Sequence, residues 1–101
     1  MIDKIKIGGI IFKIKCVKKL IGANNVKYDG WVKHSKSHIK IEKNLEIQCY
    51  LQTLFHEIFH AIFTHLGRED DEKTVDSLAY SMLQVLRDNP QLLEAIKELD
   101  K

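Results

Sequence analysis

The chain has 101 residues, 45% of them hydrophobic, and a formal net charge of +2, which fits one domain over residues 1–101 with a modest core and leaves no length for a second. Its longest apolar run falls well short of the roughly 20 residues of a membrane span. The start Met1-Ile2-Asp3-Lys4 lacks the positive-then-apolar order of a signal peptide, so the expectation is a cytoplasmic protein with no membrane partner. Cys16 and Cys49 then read as reduced, packed thiols, and neither has the CxxC spacing of a cysteine metal site.

Charge is unevenly spread. Residues 1–43 carry eleven lysines against three acids, and residues 44–101 carry five basic against eleven acidic groups. The basic half contains no arginine, and its lysines alternate with Ile and Phe, as on a solvated strand face or a guarded sheet edge. A nucleic-acid partner is therefore not expected.

Ile5, Ile7, Ile10, Phe12, Ile14 and Cys16 surround Gly8-Gly9 with period-two spacing, which predicts a hairpin pairing Ile7 with Ile10 and Ile5 with Phe12 on one buried face. Residues 18–27, with Gly22, Asn24 and Asn25, read as a loop. Tyr28 to His34 and His38 to Glu42 are short strands joined by Ser35-Lys36-Ser37. Asn44 is the predicted N-cap of a helix starting near Leu45 and stopped at Gly67. A second helix runs to about Asp88 on the stripe Val75, Leu78, Ala79, Met82, Leu83 and Leu86. Asn89-Pro90 opens a third, expected to bury Leu92, Leu93, Ile96 and Leu99. The reading is α+β: a small antiparallel sheet of about four strands packed on three helices.

The chemistry lies in His56-Glu57-Ile58-Phe59-His60. Residues four apart sit one turn above each other and about 40° apart around a helix, so both imidazoles can reach one metal ion. Glu57 points to a neighbouring direction, where it can act as a base without ligating. Shuffling would produce HExxH about one time in a hundred, so the surroundings have to carry the reading. Leu51, Leu54, Phe55, Ile58, Phe59, Ile62, Phe63 and Leu66 make the helix apolar on nearly every side. Unpaired polar groups among them would cost roughly 1–3 kcal/mol each. A bound cation removes that cost.

A catalytic zinc normally takes three protein ligands and keeps a fourth position open. His65 lies about 140° around the helix from His60, and HExxHxxGxxH would need glycine and histidine where the chain has Phe63 and Leu66. Glu72, opening the next helix, is the better third ligand. Asp76, four residues on, can accept a hydrogen bond from a ligating histidine. The bland alternative is that Glu69, Asp70, Asp71 and Glu72 only satisfy a helix N-terminus, and Glu69, Asp70 and Asp71 stand as understudies to Glu72 and Asp76.

Residues 52–62 (QTLFHEIFHAI), followed by Glu72-Lys73-Thr74-Val75-Asp76-Ser77-Leu78-Ala79, resemble small phage and prophage metallopeptidase-like proteins similar to the ImmA/IrrE group of gluzincins. The resemblance spans roughly residues 28–90. It implies a minimal zincin-like domain with an ExxxD pattern, matched here by Glu72 and Asp76, in which the glutamate ligates zinc and the aspartate supports a histidine. Only eleven residues separate His60 from Glu72, leaving little room for the extra elements of larger relatives.

The expectation is a zinc metallopeptidase with His56, His60 and Glu72 on the metal. Zinc would lower the pKa of a bound water to about 7, and Glu57 would take its proton as it attacks a peptide carbonyl. The substrate is a protein or peptide, with a repressor-like regulatory protein as one candidate, laid along His38–Glu42 as the sheet edge. His34, His38, Tyr50 and Tyr80 are candidate donors to the developing oxyanion. The alternative is a catalytically inactive zinc module acting through a protein partner, for which a fourth ligand such as His65 or Asp71 would speak.

Overall fold

A computed structural model describes residues 2–22 and 25–100. The order is β1 (Lys4–Ile7), β2 (Ile10–Val17), β3 (Gly30–Lys33), a 3-10 turn over His34–Lys36, β4 (His38–Glu42), α1 (Ile47–His65), α2 (Glu72–Asp88), α3 (Pro90–Lys97) and a last 3-10 turn over Glu98–Asp100. The α+β class, the four strands and the three helices agree with the sequence reading. Of the loop expected over residues 18–27, Ala23 and Asn24 lie outside the described residues.

The β1–β2 hairpin has the predicted register, Ile5 opposite Phe12 and Ile7 opposite Ile10. Gly8 and Gly9 take φ of 57° and 83° in its turn, a conformation that favours glycine at both positions. The buried face is narrower than expected, because Ile10 at the turn is 48% exposed.

The sheet itself is mixed. Its order is β1-β2-β4-β3, with β4 antiparallel to β3 but parallel to β2. The antiparallel expectation fails at that one pairing, because the chain crosses from β2 to the far edge and returns inward through the β3–β4 hairpin. Ile39 and Ile41 of β4 have no exposed surface, which is why this strand takes the centre. The Glu42 carboxylate anchors the crossing, accepting from the backbone N–H groups of Lys19 (3.0 Å) and Leu20 (2.9 Å). Those bonds hold its pKa below the usual carboxylate range.

One sheet face packs on α1 through Phe12, Ile14, Ile39, Ile41, Tyr50 and Leu54. The other carries Lys4, Lys13, Lys15 and Lys40, paired across the strands, so the alternating lysines line a solvated face as expected. α1 begins later than predicted. Asn44 sits at φ 70°, and Glu46 occupies the N-cap with no side-chain cap bond. Gly67 ends the helix as expected, with Gly67 N–H bonded to Thr64 O (3.1 Å) and Arg68 N–H to Phe63 O (2.9 Å), a Schellman arrangement.

Burial elsewhere is lighter than periodicity implied. Of the eight apolar residues expected to bury α1, Leu54 is fully buried, the others are half-buried, and Leu66 is 60% exposed. α2 buries Val75 and Ala79, while Leu78 and Met82 stay exposed. α3 buries none of its apolar residues. Leu92, Leu93, Ile96 and Leu99 are all exposed, because this short helix touches the body mainly through α2. Cys16 and Cys49 are free thiols, Cys16 exposed rather than packed. No described helix is long and apolar enough to cross a membrane.

Candidate metal centre

α1 buries Tyr50, Leu54, Glu57 and Ala61, a stripe of spacing four, three, four that faces the sheet. One carboxylate thus sits in an apolar row, 5% exposed. Burial pushes Glu57 up to about 7 against the opposing pull of His56 and His60, while Glu72 adds to the rise. His56 and His60 lie beside this stripe, on the side of α1 that meets α2.

There the two rings converge on Glu72. His56 Nε2 is 3.0 Å from Glu72 Oε2, His60 Nε2 is 2.9 Å from Glu72 Oε1, and the two Nε2 atoms are 3.1 Å apart. The outer nitrogen of each ring is held by its own carboxylate. His56 Nδ1 lies 2.9 Å from Asp76 Oδ1, and His60 Nδ1 contacts Asp70 Oδ2. Although burial opposes it, the bond to Asp70 and the charges of Glu57, Glu72 and Asp70 raise the pKa of His60.

An ionised carboxylate only accepts, so Asp76 and Asp70 place the ring protons on both Nδ1 atoms. Both neutral imidazoles then turn bare Nε2 lone pairs toward each other and toward the Glu72 carboxylate. Four acceptor atoms within hydrogen-bond distance and no proton among them repel. Either extra protons or a cation must occupy the space they face. Zinc with ligands at 2.0–2.1 Å in a tetrahedron sets ligand atoms about 3.3 Å apart, and the separations here are close to that edge length. Two imidazoles and one carboxylate are also a donor set zinc accepts, with one corner left for solvent or substrate. The residues therefore fit the ion.

His56, His60, Glu57, Glu72 and Asp76 all come together. Asp70, only an understudy by sequence, serves His60 as Asp76 serves His56. The signal was available, since each ligating histidine needs a partner for its second nitrogen and one aspartate cannot reach both rings. Asp71 caps α2, accepting from Thr74 N (2.8 Å) and Thr74 Oγ1 (2.8 Å). His65 packs against the β1–β2 turn, where a Cβ on Gly8 would fall 2.4 Å from its ring. Neither joins the cluster, and His56, His60 and Glu72 are the metal-compatible group among the described residues.

The strand beside the centre is not the one expected. β4 is central, and the free edge over α1 is β3, which correction follows from the strand order. Gly30 opens β3 against α1, and a Cβ there would lie 2.6 Å from Thr53 Cγ2, 3.2 Å from Lys40 O and 3.6 Å from Glu57 Cγ. Only glycine lets the strand pass this close to the buried carboxylate. Glu42 N–H bonds to Asp29 O at 2.6 Å, so by antiparallel alternation Gly30 and Val32 turn their N–H and C=O groups outward.

His34, just past β3, is 3.2 Å from Thr64 Oγ1 and shares a cavity of about 450 Å³ with Glu57, His60 and Glu72. The other three candidate oxyanion donors lie elsewhere. Tyr50 is buried against the sheet. Tyr80 opens onto the far side of Asp76, beside Gln52 and Ser77. His38 stands among Lys15, Lys40, Lys13 and Lys36, and desolvation together with their charge lowers its pKa. Comparison of the chain with family profiles, curated proteins and solved structures finds no match.

Proposed function

We propose that this protein is a zinc-dependent metallopeptidase, with His56, His60 and Glu72 holding the ion and Glu57 as the base. The observation that carries the reading is the convergence of three acceptor groups, each imidazole backed by its own aspartate, next to a buried carboxylate that is left out of the cluster. When bound, zinc supplies a Lewis acid for the peptide carbonyl and lowers the pKa of water at the site.

The chain's own groups do the rest. The outward N–H and C=O groups of Gly30 and Val32 pair with an extended peptide and set its scissile bond over Glu57. Glu57, with a pKa near neutrality in the metal-free site, takes a proton from the attacking water and passes it to the leaving amine, as a general base then acid. His34, steadied by Thr64, donates to the carbonyl oxygen as charge develops there. Two free thiols, Cys16 and Cys49, support a reducing compartment such as the cytoplasm as the setting for this activity.

A zinc module without catalysis would close the fourth coordination position with protein. His65 and Asp71, the residues suited to do so, are engaged elsewhere, which favours the enzyme. Purified protein should carry one zinc and cleave peptides only with it. Glu57→Gln should keep the zinc and lose about 10²–10⁴-fold in kcat/KM, whereas His60→Ala and Glu72→Ala should lose the metal. Full zinc stoichiometry in both of the latter, or undiminished cleavage in Glu57→Gln, would overturn the assignment.

A further inference from the structure

The cavity around Glu57 and His60 is one half of a trough. On the other side of Gly30 and Glu57 it continues as a second cavity of about 300 Å³ toward the N-terminal end of α1, lined by Asp29, Cys49, Gln52 and Thr53 and closed at the metal end by His56 and Asp76. The two halves differ in chemistry. The His34 side is walled by Tyr28, Trp31 and Val32, with the Tyr28 and Trp31 rings edge to face at 5.9 Å. The Asp29 side is polar, and no lysine or arginine lines it.

Asp29 is the group there without a task. Asp76 is taken by His56 and Glu57 by the chemistry. The Asp29 carboxylate has only the weakly donating Cys49 Sγ at 3.9 Å and no ion pair among the described residues. Cys49 stands seven residues before His56, about 10 Å along the helix axis. That span suits a long side chain reaching from a backbone anchored at Gly30.

From this geometry, and resting on the peptidase reading above, we infer that Asp29 makes the trough selective for peptides with lysine or arginine just C-terminal to the scissile bond. The polarity follows from the strand. A peptide antiparallel to β3 runs from the His34 end toward the Asp29 end, so its residues beyond the cleaved bond enter the acidic half. Apolar and aromatic side chains before the bond meet Tyr28, Trp31 and Val32.

Trp31 is the sole tryptophan and lines the trough, so its fluorescence reports occupancy without turnover. Zinc-loaded Glu57→Gln protein would be titrated with alanine hexapeptides bearing lysine, norleucine or glutamate at the position after the central bond. Lysine should bind about fivefold more tightly than norleucine, the range of a partly exposed charge pair, and glutamate should bind most weakly. Asp29→Asn should bring lysine and norleucine level while keeping zinc. Equal binding of the three peptides, binding of none, or a lysine preference that survives Asp29→Asn would overturn the inference. Failure of the peptidase reading has a different signature, namely the lysine preference in binding with no zinc-dependent cleavage by the wild-type protein.

Discussion

Asp70 and Asp76 give the centre a symmetry that can be tested one oxygen at a time. Asp70→Asn and Asp76→Asn keep shape but weaken the acceptor facing a ligand Nδ1, and each should lower zinc affinity by about 10–100-fold in chelator competition. Asp71→Asn, between them in sequence, is the control. It changes the α2 cap and should cost at most about 1 kcal/mol in denaturant midpoints with zinc affinity unchanged. Glu57 adds a pH prediction for the metal-free protein. Its folded pKa of about 7 lies above its ordinary value of 4.5, so between those limits the folded state binds the extra proton and stability falls as pH rises through the window. His60, also raised, contributes in the same direction at the upper end. Glu57→Gln should flatten most of that slope in urea titrations at pH 5 and pH 8, and an unchanged slope would remove the buried carboxylate from the account.

At the scale of elements, the approach of β3 to α1 is the most sensitive joint. Gly30→Val would drive a side chain into Thr53 and the Lys40 carbonyl, and the overpacking should cost about 1–3 kcal/mol and reduce peptide binding at the same time. Leu54→Ala, by contrast, empties a fully buried core position and should cost about 2–5 kcal/mol with zinc stoichiometry unchanged. α3 should exchange its amides fastest of the three helices, since its apolar residues are exposed and little packing protects it. Protection of Leu92–Ile96 equal to that of α1 would contradict this. These elements also mark what the sequence could and could not reveal. The Ile5–Phe12 pairing and the HExxH face are local, set by periods of two and 3.6, and both were legible. The parallel β2–β4 pairing was not, because strand order is decided by which strand is paired along both edges, and the pattern of His38–Glu42 alternates like an edge. α3 misled for a related reason, as an apolar stripe records an amphipathic helix without saying whether anything covers it.

For the whole molecule, an ion held by His56, His60 and Glu72 would join α1 to α2, so metal binding and folding would be one equilibrium. Zinc at about 100 times its Kd should add about 2.7 kcal/mol, on the order of 10–20 °C in Tm for a chain of this size. His60→Ala should abolish the rise, and a scan with and without chelator checks both. The legibility of the centre follows the same division. His56, Glu57 and His60 were fixed by spacing on one helix, and Glu72 with Asp76 by spacing on the next. Asp70 belongs to neither helix and reaches His60 only because the turn after Gly67 folds back, which no periodicity encodes.

That turn ends in three consecutive acids with separate employment. Asp70 steadies a ring, Asp71 starts a helix and Glu72 faces both imidazoles. Surface connections ordinarily tolerate an added residue. Here one alanine spliced between Asp70 and Asp71, or between Asp71 and Glu72, would put two of these duties out of step, so the hinge of the helical pair should be the least extensible stretch of loop in the protein.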